Sequence, residues 1–124
     1  MIYKSFIIVY YERKIIMEQI TNLTTNIRAI DNIKSEVLCE VARLYRELAD
    51  FDDENLYENV SGSIATIIAL DYILARRMGL QFSDVDTKIV ELTAIAAESD
   101  HELEKAFGDM TDLENYVKKR IREM

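Results

Sequence analysis

The chain of 124 residues contains no proline and only three glycines, Gly62, Gly79 and Gly108. Proline and glycine most often interrupt regular structure, so a chain this poor in them favours long helices or strands. Beyond residue 17 the sequence shows little of the apolar–polar alternation that is typical of half-buried strands. The sequence therefore predicts an all-α fold.

Apolar residues at helical spacing predict a helical bundle of five to six helices. The first two cover about 18–30 and 32–49, with Asp31 as the N-cap of the second, and one continuous helix is the alternative. A third helix follows an acidic turn at 50–54 and runs to Met78.

Cap residues mark the boundaries of the later helices. Asp52 or Asp53 caps the third helix at its start, and Gly79 closes it. Three patterns with an acid three residues after Ser or Thr resemble capping boxes. They predict the starts of the remaining helices at Ser83-x-x-Asp86, Ser99-x-x-Glu102 and Thr111-x-x-Glu114.

The first sixteen residues differ in composition from the rest, because they are rich in aromatic and β-branched side chains. One hypothesis is that translation naturally starts at Met17, which makes residues 1–16 an extension upstream of the natural start. The alternative is a short edge strand or an extra turn of helix. We therefore divide the chain into an N-terminal extension at 1–16 and a single helical domain at 17–124.

The third helix is apolar nearly all round between residues 64 and 75, where only Thr66 and Asp71 interrupt it. Such a helix is covered on two sides, and in so small a protein the second cover is most simply another copy of the chain. We expect a homodimer, with a tetramer as the alternative. One face packs within the subunit and the other packs at the dimer axis, and the sequence does not specify which face does which. The first face is Val60, Ile64, Ile67, Ile68, Leu74 and Met78, and the second is Ala65, Ala69, Leu70, Tyr72 and Ile73.

The chain is acidic, with a net charge of −8 and a pI of about 4.7. This charge argues against a nucleic-acid polymer or an anionic membrane as partner. A nucleotide remains compatible, because Mg²⁺ can bridge its phosphates to acidic side chains. The single cysteine, Cys39, excludes an internal disulfide and favours the cytoplasm as compartment.

Glu36, Glu40, Arg43 and Glu47 form a row along one edge of the apolar side of the second predicted helix. Two carboxylates one turn apart can hold a divalent cation, which makes Glu36 and Glu40 candidate metal ligands. The alternative is a ladder of ion pairs in which Arg43 joins Glu40 and Glu47.

Asp71 is the third candidate ligand, because it is expected on an apolar face where an unpaired carboxylate is costly. It therefore predicts a metal ion or a basic partner, and a groove open to solvent is the alternative. His101 is expected on the surface. With no glycine-rich phosphate loop and no Ser/His/Asp set, we assign no catalytic residue.

Two segments carry a resemblance to a known family: Ile33-Lys-Ser-Glu-Val-Leu-Cys-Glu-Val-Ala-Arg-Leu-Tyr-Arg-Glu-Leu48 and Ile73-Leu-Ala-Arg-Arg-Met-Gly-Leu-Gln-Phe-Ser-Asp84. The region from Asn26 to Val85 resembles short MazG-like proteins of the all-α nucleotide pyrophosphohydrolase superfamily. The resemblance implies helical dimers or tetramers that hydrolyse nucleoside triphosphates, with Mg²⁺ held by an ExxE and a later ExxD motif.

The two motifs are incomplete at the corresponding positions of this chain. ExxE falls on Glu40 and Arg43, and ExxD falls on Ser63 and Thr66. The resemblance therefore implies a divergent member with a degenerate magnesium site and weak or no catalysis, needing Mg²⁺ if it is active. The alternative is a non-catalytic homodimer that acts as a binding or regulatory module.

Overall fold

The computed structural model describes the backbone of residues 2–123 and the side chains of residues 4–123. This part of the chain forms five helices and no strand. They are α1 (Ile2–Leu48), α2 (Leu56–Arg77), α3 (Phe82–Glu98), α4 (Glu102–Phe107) and α5 (Asp109–Arg122). The predicted all-α fold is confirmed. Across the same residues, no helix has both the length and the apolar character that crossing a membrane requires.

The first two predicted helices are one continuous helix of 47 residues, α1. Asp31 lies inside it and pairs with Lys34 at 3.5 Å instead of capping a second helix. Residues 4–16 are helical despite their strand-like composition, because β propensity is a weak preference that depends on packing partners. The division of the chain at residue 16 stays a prediction.

The ends of α2 follow the predicted cap residues closely. In the turn before it, the Asp53 carboxylate accepts a hydrogen bond from the Asn55 N–H at 2.9 Å. The helix ends at Arg77, one residue before the predicted end, and Gly79 has a φ of 94°. That left-handed conformation favours glycine, which explains why the helix ends here.

The chain divides into two compact units, Met1–Arg77 and Met78–Met124. In the first, α1 and α2 form an antiparallel hairpin, since Glu47 contacts Ser63 and Asn26 contacts Arg77. The face of α2 toward α1 consists of Ser63, which is buried, and of half-buried Val60, Ile67, Leu70 and Leu74.

The predicted division of α2 into two faces was therefore wrong in several positions. Ile64, Ile68 and Met78, expected to share a face with Ile67, are exposed, whereas Leu70 is half-buried. The small side chain of Ser63 marks the side on which α1 packs, and the apolar pattern alone did not identify it.

The second unit contains α3, α4 and α5, and its caps lie near but not at the predicted residues. At the start of α3 the Asp84 carboxylate accepts from the Gln81 N–H at 2.7 Å, two residues before the predicted pair. Asp86 is instead buried, and its Oδ1 pairs with Arg120 of α5 at 2.7 Å.

The caps of α4 and α5 are also displaced. His101, exposed as expected, caps α4 by accepting from the Leu103 N–H at its Nδ1, 3.1 Å away. The αL conformation of Gly108 separates α4 from α5, which begins before Thr111. Thr111 then bonds back to Glu104 of α4.

Candidate functional site

The α1–α2 hairpin positions the acidic row closer to α2 than the sequence predicts. Glu40 and Glu47 are half-buried, whereas Leu38 and Tyr45 are 72% and 69% exposed. The side of α1 that faces α2 is thus a narrow stripe in which two carboxylates lie among apolar side chains. Glu36, one turn before Glu40, is exposed.

Glu40 is paired with a cation of its own helix. Its Oε2 lies 3.5 Å from an Arg43 guanidinium nitrogen, and the two side chains are 13% and 60% exposed, respectively. The spacing i,i+3 brings both side chains to the same edge of α1. Arg43 therefore neutralises a largely covered carboxylate while most of its own side chain stays in water.

Ser63 connects the two helices. It is 3% exposed, and its hydroxyl donates a hydrogen bond to Glu47 Oε2 at 2.8 Å. A buried hydroxyl without a partner is costly, so this bond fixes the approach of α2 to α1. Sequence reasoning treated Glu47 only as a member of an ion-pair ladder. A serine within an apolar helix face was the one sign of this contact.

Thr66, the other ExxD position, makes no such contact across the hairpin. It is exposed, and its hydroxyl donates to the Gly62 carbonyl of its own helix at 2.8 Å. The side chain is thereby directed along α2, one turn back toward the helix start.

The predicted burial of Asp71 was wrong, since its side chain is exposed. Only one side of α2 is covered by α1, and Asp71 lies about a sixth of a turn from the centre of that side, at its edge. An exposed carboxylate keeps its water, which removes the reason to expect a bound cation or a basic partner.

No three carboxylate, histidine or cysteine side chains between residues 4 and 123 come together in an arrangement that holds a metal ion. The assignment of Glu36, Glu40 and Asp71 as ligands stays a prediction. At the four motif positions the chain offers one carboxylate, one guanidinium and two hydroxyls, Glu40, Arg43, Ser63 and Thr66. Mg²⁺ needs several oxygen ligands, mostly carboxylates and phosphates, so this set does not fit it.

An apolar groove lies at the loop end of the hairpin, where α1 ends and α2 begins. Its volume is about 420 Å³, and it is lined by Leu48, Leu56, Tyr57, Val60, Ser61 and Ile64. Tyr57 is 88% exposed, which leaves its ring accessible to a flat partner.

Comparison with known proteins identifies one protein family. The model of the MazG-like family matches residues 23–110, which is well over half of the chain. Comparisons with curated proteins and with solved structures find no match. The matched range includes α2, the part of α1 from residue 23 onward and the motif positions on both helices. The chain therefore belongs to the MazG-like family.

Proposed function

We propose that this chain is a divergent MazG-like protein that keeps a scaffold related to nucleotide pyrophosphohydrolases, has weak or no catalysis, and acts as a homodimeric binding module. The observation that carries the proposal is the ion pair between Glu40 and Arg43. It replaces two adjacent carboxylates by a neutral pair. With Arg43 at the place of the second carboxylate, the hairpin lacks the ligands for a divalent cation, which would stabilise the negative charge that develops when a phosphoanhydride is cleaved.

The hydrogen bond between Ser63 and Glu47 supports the same proposal. It uses the Glu47 carboxylate as an acceptor within the hairpin. A carboxylate in place of Ser63 would face Glu47 at close range, and like charges repel strongly where water is largely excluded. The site has therefore changed on both helices.

Pyrophosphate release from a panel of nucleoside triphosphates, with and without Mg²⁺, tests the lack of catalysis. We expect no release above the protein-free rate, for the natural chain and for Glu40→Gln alike. Glu18→Gln, an exposed carboxylate elsewhere on α1, is the matched control. Release that requires Mg²⁺ and is lost in Glu40→Gln but kept in Glu18→Gln would refute the proposal.

A magnesium-dependent hydrolase that uses Glu36, Glu40 and Asp71 is the second candidate. The observation that favours it is the exposure of Glu36 one turn from Glu40, which leaves a carboxylate accessible to a cation. Only in this candidate is Mg²⁺ a cofactor. Loss of release in Glu36→Gln as well as Glu40→Gln would support it.

The groove at the loop end of the hairpin is the proposed place for a nucleotide, since a nucleobase can stack on the accessible Tyr57 ring. A rise in melting temperature with a nucleotide, lost in Tyr57→Ala, would support binding there. Absence of any shift across the panel favours a protein partner for the binding module.

The homodimer is proposed from the face of α2 turned away from α1. Ala65 and Ala69 lie at the centre of that face, where their small side chains permit close helix approach, and Ile68 and Ile73 on either side of them are 51% and 44% exposed. A hairpin of two helices leaves apolar sides uncovered, and two hairpins together make a four-helix bundle.

Sedimentation at micromolar concentration tests this contact. We expect a dimer for the natural chain and a monomer for Ile68→Asp, because a carboxylate in the contact would lose its water. Asp71→Lys changes the charge at an exposed position of the same helix, about a third of a turn from Ala65, and should remain dimeric. A natural chain that sediments as a monomer would rule out the homodimer.

A further inference from the structure

The N-terminal half of α1 extends past the end of α2. The Asn26 side chain donates to the carbonyl of Arg77, the last residue of α2, at 2.9 Å. Every residue from 4 to 25 is exposed. These include large apolar side chains such as Phe6 at 69%, Ile20 at 53% and Leu23 at 60% exposure.

The apolar residues of this half follow a heptad pattern. Spacings of three and four alternate from residue 6 to residue 30, which is the pattern of a coiled coil, and Arg13 is the one position of this series that is not apolar. We call these eight positions the seam: Phe6, Arg13, Ile20 and Ile27 at a, and Val9, Ile16, Leu23 and Ile30 at d. The pattern ends where Lys34 occupies the next a position.

The seam does not coincide with the side of α1 that packs on α2. Asn26, Ala29 and Ile33 face α2, as their partial or full burial shows. At about 100° of rotation per residue, the seam runs roughly a quarter turn from them. Seven of its eight positions are therefore exposed while the hairpin stays intact, and Ile30, at the end nearest the contact with α2, is half-buried.

We propose that residues 6–30 of α1 form a parallel, in-register, two-stranded coiled coil with the same segment of a second copy of the chain. A heptad seam is complementary to itself. The preference for two strands comes from Ile20 at a with Leu23 at d and from the single polar a residue, Arg13. The β-branched residues at d do not contribute to it: Val9, Ile16 and Ile30. As in the proposed homodimer, the partner is a second copy of the chain. The contact surface is different, because it is the seam on α1 and not the outer face of α2.

The charges next to the seam fit the parallel orientation. Glu12 occupies the g position directly before Arg13 at a. In a parallel pair this g residue lies beside the a residue of the partner helix, so two reciprocal Glu12–Arg13 contacts form. A single polar residue at a also fixes the register of the two strands.

The area is sufficient for a stable contact. Six exposed apolar side chains of the seam each bury on the order of 100 Å² when covered, and both copies together bury about 1,200 Å². This lies at the lower limit of specific interfaces. The α2 face would add to it if both contacts form in one dimer.

Cysteine cross-linking of the full-length chain tests the seam. In a Cys39→Ser background, which removes the one exposed native thiol, Ile20→Cys and Leu23→Cys are oxidised separately. A parallel in-register pair places each residue against its own copy, so both variants should form disulfide dimers at least tenfold more than Thr25→Cys. Thr25, at an f position of the same helix, is the matched control.

Each result of this experiment supports or overturns the seam. Dimers in sedimentation without cross-linking at either position would overturn it while the α2 contact stands. A natural chain that sediments as a monomer would overturn both.

A lipid surface is the competing occupant, because Ile7, Ile8 and Tyr11 outside the seam are also more than half exposed. Flotation with phosphatidylcholine and with phosphatidylglycerol vesicles addresses it. Vesicle binding by a chain that does not cross-link would overturn the coiled coil, and cross-linking without flotation supports it.

Discussion

Two arginine–carboxylate pairs of this chain differ in placement. Arg43 and Glu40 lie one turn apart on α1, whereas Arg120 reaches from α5 to Asp86 on α3. The Asp86 side chain is 6% exposed, and its distance to Arg120 is 2.7 Å. Since Asp86 has little access to water, its charge depends on this partner, which makes the pair a structural contact of the second unit.

We expect Asp86→Asn to lower the free energy of unfolding by about 1–2 kcal/mol, less than for a fully buried pair because the Arg120 side chain is 40% exposed. Glu91→Gln breaks an exposed pair with Lys88 on the same helix and should cost less than about 0.5 kcal/mol. Urea unfolding of both variants measures the difference. Equal losses would show that the buried pair has no special role.

Thr111 acts on the ionisation of Glu104. The hydroxyl of Thr111 first, and its backbone N–H second, donate to the Glu104 carboxylate and lower the pKa of that group below its ordinary value of 4.5. The folded pKa is then lower than the unfolded one. The resulting stabilisation is present above the unfolded pKa and is lost as pH falls through the folded pKa.

Removing the hydroxyl in Thr111→Val should raise the pKa of Glu104 while the backbone N–H keeps it below the ordinary value. An NMR titration of the Glu104 side-chain carboxyl carbon follows this directly. An unchanged pKa in the variant would show that the hydroxyl is not the main cause of the shift.

At the scale of elements, a helix end was predictable where the backbone conformation at that end requires glycine. Gly79 was predicted to close the third helix, and its positive φ is the conformation that selects glycine at such a position. Caps were less predictable, because several polar residues compete near each helix start. At the start of α3 the Gln81 N–H donates to the Asp84 carboxylate, whereas Asp86 is buried and pairs with Arg120.

The candidate site was predictable in its residues but not in its contacts. Family resemblance selected Glu40, Arg43, Ser63 and Thr66, and the first two do form an ion pair. Which side of α2 faces α1 depends on packing between distant residues, and a helix that is apolar nearly all round does not specify it. For that reason the Ser63–Glu47 bond was missed and Asp71 was expected inside.

Over the whole molecule, few apolar side chains are fully covered within one chain. Among the described side chains, Ile33 is the buried apolar residue of the first unit and Val117 that of the second. Hydrophobic burial is the main stabilising contribution to folding, so units with such small cores need further surface to cover. The sequence predicts that the chain needs a partner. The position of that partner depends on which faces remain exposed in each of the two units, and the sequence does not specify them.

The uninterrupted course of α1 has a consequence for how the protein behaves on dilution. Residues 33–48 are supported by α2 at any concentration, because that contact lies within one chain. Residues 4–25 rely on helix propensity alone in an isolated chain, and helices without packing are marginal in water. If the seam pairs as proposed, the order of this half of the helix therefore depends on the concentration of the protein itself, and dilution should fray it.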